Sequence, residues 1–175
     1  MGTENLKILY TKEVIHQRVA DLADQISRDY PSGSVLLVGV LKGAVVFLAD
    51  LIRALKIPAT IDFVRLSSYG SSTTSSGKVE IIKDLEMPVA GKDVIIVEDI
   101  IDTGLTIKFL KEELTKRQPR SLRICTLLNK EFRRKVEITA DYVGITMDKD
   151  YFVVGYGLDF SESYRYLSDI HYFEP

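Results

Sequence analysis

Residues 94–106, VIIVEDIIDTGLT, change character twice within a few positions. Val94, Ile95, Ile96 and Val97 form a short β-branched run, the pattern of a strand covered on both faces of a parallel sheet, where polarity need not alternate. Glu98, Asp99 and Asp102 fall where such a strand should end, and Thr103, Gly104, Leu105 and Thr106 follow. Ile107, Leu110 and Leu114 then recur at helical spacing, with Lys108, Lys111, Glu112 and Glu113 off that face. The stretch predicts a strand, an acidic loop and a helix N-terminus.

Each pair of carboxylates in that loop repels by roughly 1 kcal/mol even in bulk water, so something cationic should offset them. The turn beside them has the opposite character. Free amides at a helix N-terminus form an anion site, and Gly104 permits close approach. One loop therefore offers carboxylates to a sugar's hydroxyls or a metal, and amides to a phosphate. Solvated strand-end acids with Thr103 as a simple helix cap are the plain alternative. It is the ordered combination that favours a ligand.

The chain has 175 residues, 46% hydrophobic and 27% charged, which suits a single globular domain spanning 1–175. A net charge of -2 gives no overall positive field for nucleic acid or a membrane surface. The one cysteine, Cys125, precludes an internal disulfide, fits a reducing compartment, and lies in an apolar run that marks it as buried. His16 and His171 have no metal-ligand spacing. MGTENLKILY lacks a signal peptide's basic start and apolar core, Leu6 breaks a myristoylation motif, and no apolar run is bilayer-long, so a cytoplasmic location is expected.

Elsewhere the sequence predicts a helix over 11–29, with Thr11 as N-cap and Val14, Ile15, Val19, Leu22, Ala23 and Ile26 at helical spacing. A buried strand at 34–40 and a helix at 44–55 flank Leu41-Lys42-Gly43, a second anion-site geometry with a cation at its mouth. A strand at 59–67 leads to Ser68-Tyr69 and the polar run 70–77, GSSTTSSG, which reads as a lid or a disordered loop. A strand-like run at 79–82 and the central strand follow. Strands at 121–129, around 142–145 and at 152–159 complete the pattern, with Lys130 at the end of one and Asp159 at the end of another. Residues 131–137, EFRRKVE, read as a charged, solvated connection. Alternating strands and crossover helices imply an α/β fold with a mostly parallel twisted sheet, whose ligands bind beyond the carboxyl ends of the strands.

VEDIIDTGLT resembles the phosphoribosyl-diphosphate (PRPP) signature of type I phosphoribosyltransferases, in their hypoxanthine-guanine branch, and the matches run in order from Leu41 to Arg165. The resemblance implies a small hood and a flexible lid based on Ser68 and Tyr69. It also implies Mg²⁺ and transfer of the phosphoribosyl group to N9 of hypoxanthine or guanine, giving IMP or GMP and diphosphate.

By the same resemblance Asp102 would take a proton from purine N7. Glu98 and Asp99 would hold the ribose hydroxyls, directly or through the metal, Asp159 would bind the metal, and Asp102, Thr103, Gly104, Leu105 and Thr106 would hold the 5′-phosphate. Lys42, Gly43 and Arg165 would meet the diphosphate. Lys130, Phe152, Val153 and Asp159 would meet the purine, with Lys130 on its 6-oxo group and Phe152 stacked on its ring. The Leu41-Lys42 peptide is often cis in the family, and its members are usually dimers or tetramers. Leu105 departs from a lysine found in some members, notably eukaryotic ones.

A PRPP-sensing nucleic-acid-binding regulator on the same fold is the competing class; it would lack the base or lid and show a basic face. A dinucleotide-binding oxidoreductase would need G-x-G-x-x-G, which Gly39 and Gly43 do not supply.

Overall fold

The apolar runs 35–41 and 93–101 lie side by side as parallel strands, in register from Val35 opposite Asp93 to Gly39 opposite Val97. Around them the computed structural model describes residues 6–68 and 79–174. In chain order the elements are β1 (Leu6–Tyr10), α1 (Lys12–Asp29), β2 (Val35–Leu41), α2 (Val45–Ala54), β3 (Ala59–Ser68), β4 (Val79–Lys83), β5 (Asp93–Ile101), α3 (Leu105–Thr115), β6 (Ser121–Asn129), β7 (Tyr142–Thr146), β8 (Val153–Val154) and β9 (Ile170–Phe173). A six-stranded sheet runs β4-β3-β2-β5-β6-β7. Its strands are parallel except β4, which pairs antiparallel with β3 at one edge.

Alternate residues of the central strands feed two separate cores. Leu37, Ile95, Val97 and Cys125 point to the side of α1 and α2, where Ile15, Leu22, Phe47 and Leu51 meet them. Leu36, Val38, Val94, Ile96 and Ile124 point to the other side and meet Ile107, Leu110 and Leu114 of α3. Full burial of each such side chain contributes about 1.5–3 kcal/mol, which explains why β2 and the buried middle of β5, Val94 to Val97, carry no polar position. Cys125 is buried as expected, and burial pushes its thiol upward.

The connection from β2 runs through α2 to β3 on one side, and that from β5 runs through α3 to β6 on the other. The strand order therefore reverses between β2 and β5, and a crevice opens beyond their carboxyl ends. Lys42 and Gly43 follow β2, while Glu98 to Gly104 form the end of β5 and the turn after it.

A second, three-stranded antiparallel sheet, β1-β9-β8, forms the small hood from the two ends of the chain. Asp169, just before β9, accepts the Lys12 amide at 2.7 Å and so joins the hood to the first turn of α1. Thr11 caps that helix as predicted, accepting from the Val14 amide.

The sequence reading needs three corrections. Neither β1 nor β9 was predicted, because each is short and depends on pairing with a segment distant in sequence or irregular in pattern. Only Val153 and Val154 of the expected 152–159 strand are extended, since Gly155, Tyr156 and Gly157 turn through positive φ of 98°, 53° and 96°. Val14 has helical spacing but is 43% exposed, lying at the edge of the buried stripe.

Candidate active site

A cavity of about 280 Å³ lies at the β2/β5 crevice. Its lining includes Glu98, Asp99, Asp102, Thr103, Gly104 and Thr106, opposite Val40 and Leu41. The turn after β5 forms because Gly104 takes the N-cap position of α3 at φ 83°, with no side-chain cap. Thr103 is therefore not the helix cap, and the first amides of α3 keep the unpaired character of a helix N-terminus. A side chain at 104 would also strike Ile138 at 2.6 Å and Arg134 at 2.8 Å, so only glycine fits. Leu105 faces outward, 38% exposed, and its side chain is not part of the cavity wall.

Asp99 is buried and Glu98 half-buried, and their carboxyls share a hydrogen bond. Burial, and then the charge of Asp99, raises Glu98 well above the ordinary carboxylate range. Burial also raises Asp99, opposed by its bond to Glu98, by the Ile100 amide at 2.7 Å and by the charge of Arg165. Among the described residues neither carboxyl forms an ion pair. Gly43 packs directly on this pair: a Cβ there would stand 1.8 Å from Asp99 Oδ2, which joins the loop after β2 to the acids of β5. The Leu41-Lys42 peptide is cis.

Two cations near the cavity, Lys42 and Arg165, are paired with carboxylates of the chain. Lys42 Nζ meets Glu162 Oε2 at 2.9 Å. Arg165 Nη2 meets Asp159 Oδ1 at 2.8 Å and Glu162 at 3.5 Å, and its Nη1 donates to the Gly157 carbonyl at 2.7 Å. Arg165 Nε is buried with no partner, a donor left over on the side chain expected at the diphosphate. Asp159 is thus engaged by Arg165 and by the Glu162 amide. Glu98, Asp99 and Asp159 are not gathered into a three-carboxylate metal set among the described residues.

Lys130 is buried at the end of β6, where its Nζ donates to the Tyr151 carbonyl at 2.6 Å and to Asp150 at 3.1 Å. That brings it beside Phe152, which is 55% exposed and stands edge-on to Phe160 at 5.6 Å, and beside the buried Val153. Ser68 ends β3, while Tyr69 and the 70–77 run lie outside the described residues.

The 131–137 segment is largely exposed, as its composition predicts, but it also makes contacts that the composition does not announce. After a single 3-10 turn, Glu131–Arg133, it folds back on the turn after β5. Arg133 Nε donates to Asp102 Oδ1 at 3.1 Å, Arg134 Nη1 to the Asp102 carbonyl at 2.9 Å, and the Lys135 amide to the Thr103 carbonyl at 2.9 Å. The sequence signal for this was faint: two adjacent arginines just after a predicted site lysine.

A twisted parallel sheet with an acidic strand end, a glycine-capped helix N-terminus and a lysine-glycine loop across the crevice defines a sugar-phosphate-handling site. The chain belongs to the phosphoribosyl transferase family, whose domain model matches residues 5–161. Within that family its relatives are hypoxanthine-guanine phosphoribosyltransferases. The one from Mycobacterium tuberculosis is 49% identical, the match covering 96% of this chain and 86% of the relative. The one from Bacillus subtilis is 47% identical, covering 97% and 93%. A crystal structure of a hypoxanthine phosphoribosyltransferase from Staphylococcus aureus superposes with a TM-score of 0.93 at 44% identity, covering 98% of this chain and 94% of the other.

Proposed function

We propose that the protein salvages purines by transferring the phosphoribosyl group of PRPP to N9 of hypoxanthine or guanine, releasing IMP or GMP and diphosphate. The observation that carries this reading is the joining of two loops: Gly43 packs against Asp99 at the mouth of a cavity lined by the acids and by the phosphate turn. Displacement at an anomeric carbon develops positive charge on the sugar and negative charge on the leaving group, so catalysis consists largely of positioning and electrostatics.

The amides and hydroxyls of Asp102, Thr103, Gly104, Leu105 and Thr106 hold the 5′-phosphate, and Glu98 and Asp99 the ribose hydroxyls. Lys42, Gly43 and Arg165 receive the diphosphate, and the unpaired Nε of Arg165 supports that role. Lys130 donates to the purine 6-oxo group, Phe152 stacks on its ring, and the Val153 backbone reads its edge. Asp102 takes the N7 proton.

Two adjacent, partly desolvated carboxyls lacking an ion pair fit a hard divalent cation, which needs one or two protein carboxylates beside waters and phosphate oxygens. Mg²⁺, when bound, neutralises phosphate charge and polarises the bond to the leaving group. Glu98 and Asp99 would hold it, and Asp159, paired here with Arg165, would serve as a further ligand only once released from that pair.

No helix among the described residues is long and apolar enough to cross a membrane. A cytoplasmic homodimer or homotetramer is the expected form. Incubation with PRPP, Mg²⁺ and each of hypoxanthine, guanine, xanthine and adenine tests the reading. Diphosphate should appear with hypoxanthine or guanine and not with adenine; release with adenine alone, or with none, overturns it.

A further inference from the structure

We infer that Arg133 is a positioning residue that fixes the spacing between the proton acceptor Asp102 and the purine-reading Lys130, an inference that rests on the roles just proposed for those two. The two residues are tied by an alternating row of charges. Lys130 Nζ lies 3.1 Å from Asp150 Oδ1, Asp150 Oδ2 lies 2.7 Å from Arg133 Nη1, and Arg133 Nε lies 3.1 Å from Asp102 Oδ1.

Separate nitrogens of one rigid, planar guanidinium thus serve the two carboxylates. A lysine, presenting a single point of charge, cannot replace that fork. The neighbouring Arg134 has different duties, donating to the Asp102 carbonyl and to the Asn129 side chain, so it holds the turn's backbone while Arg133 holds the carboxylate.

The chemistry of the base explains why such a spacer is useful. In a 6-oxopurine protonated at N7, the N7–H donor and the O6 acceptor sit side by side on one edge. An enzyme reading both needs an acceptor and a donor at one fixed separation, which Asp102 and Lys130 supply. Adenine presents an amino group in place of O6, so the same pair meets it donor to donor. Lys130 is already anchored by the Tyr151 carbonyl at 2.6 Å, whereas the Asp102 and Asp150 side chains are roughly half-exposed. Arg133 pairs with both of them. Its own side chain is 46% exposed, so its removal opens no cavity in the core.

Arg133→Met should lower kcat/KM for hypoxanthine about tenfold, the scale of a misaligned catalytic contact, with lower kcat and higher purine KM. The KM for PRPP should stay within about twofold. Asp150→Asn, which breaks the row from its other side, should give the same pattern, and the double variant should be little worse than either single one. Arg133→Lys should recover only a small part of the loss. Unchanged purine kinetics in Arg133→Met, additive losses in the double variant, or an equal rise in PRPP KM would each overturn the inference. Asp102→Asn and Lys130→Met serve as controls on the underlying roles. If both leave purine kinetics intact, those roles fail; if both act as proposed and Arg133→Met is silent, only the Arg133 inference fails.

Discussion

Glu98 and Asp99 stand only a few residues before Asp102, yet the fold treats the two groups oppositely. The first pair is sunk into the crevice, shares a hydrogen bond and, among the described residues, has no ion pair, so burial raises both carboxyls. Asp102 is 42% exposed and faces a guanidinium at 3.1 Å. The contrast extends around the cavity, where Lys42, Lys130, Arg133 and Arg165 each pair with a carboxylate of this chain. One wall holds two desolvated carboxyls with no ion pair among the described residues; the cations around the cavity are balanced before any ligand arrives. A ligand bringing a divalent cation to the first wall relieves an existing cost, because two partly desolvated acids are expensive without a partner. A ligand reaching the balanced walls must instead exchange places with a carboxylate already there.

The largest test separates the acids by role. Asp102→Asn should reduce kcat by roughly 10²–10⁴, the range for loss of a general base, while leaving the KM for PRPP within a few-fold. Steady-state kinetics with each substrate varied would read this. Turnover within twofold of the parent would remove Asp102 from proton transfer and blur the distinction between the two groups.

A second test asks whether the Glu98 wall carries a stability cost. A carboxyl whose folded pKa exceeds its unfolded value near 4.5 binds protons on folding, so stability falls as pH rises from about 4.5 toward the folded value. Glu98→Gln removes that penalty together with the metal-binding role. In metal-free buffer its Tm should match the parent near pH 4 and exceed it by about 2–4 °C at pH 7, roughly 1 kcal/mol for a domain this long. Calorimetry across that range would show the widening gap. A gap independent of pH, or one of opposite sign, would mean that the acid pair is not held under strain, even if activity is lost as expected.

The two walls also differ in how legible they were. The 94–106 stretch could be read because local signals agree: β-branched residues, then acids, then a glycine at a helix start, all within one strand-turn-helix unit. Residues 121–129 were likewise read at their observed bounds, which placed Lys130 at a strand end. Arg133 could not be found in this way. Its partners Asp102 and Asp150 lie 31 and 17 residues away, and a charged run looks alike whether it faces water or a neighbouring loop. The hood was hidden for the same reason, since Leu6 pairs with Phe173 and neither end contains a pattern that names its partner. In FVVGYGLD the apolar content implied a strand, but Gly155 and Gly157 allow left-handed backbone, and the chain turns back after two residues. What stays local in sequence was readable, and what depends on distant pairing was not.

The smallest expected effect tests the exchange itself. Glu162 lies 2.9 Å from Lys42 and 3.5 Å from Arg165, the two cations proposed for the diphosphate, and Lys42 holds its carboxyl below the usual range. On the proposed roles it occupies the place of the leaving group, carried on a turn where Ser161 and Glu162 both have positive φ. Diphosphate would then displace it, so Glu162→Gln should tighten binding. Because Lys42 and Glu162 are 47% and 64% exposed, water already screens their attraction and the gain should be modest. The KM for PRPP and the inhibition constant for diphosphate should each fall about two- to fivefold, and the difference from the parent should shrink in 0.5 M salt, where the screening length is only a few Å. A rise in either constant would mean that Glu162 orients Lys42 for the ligand rather than competing with it. The balanced wall would then be a preformed site, and the exchange would have to be sought at Asp159 and Arg165 instead.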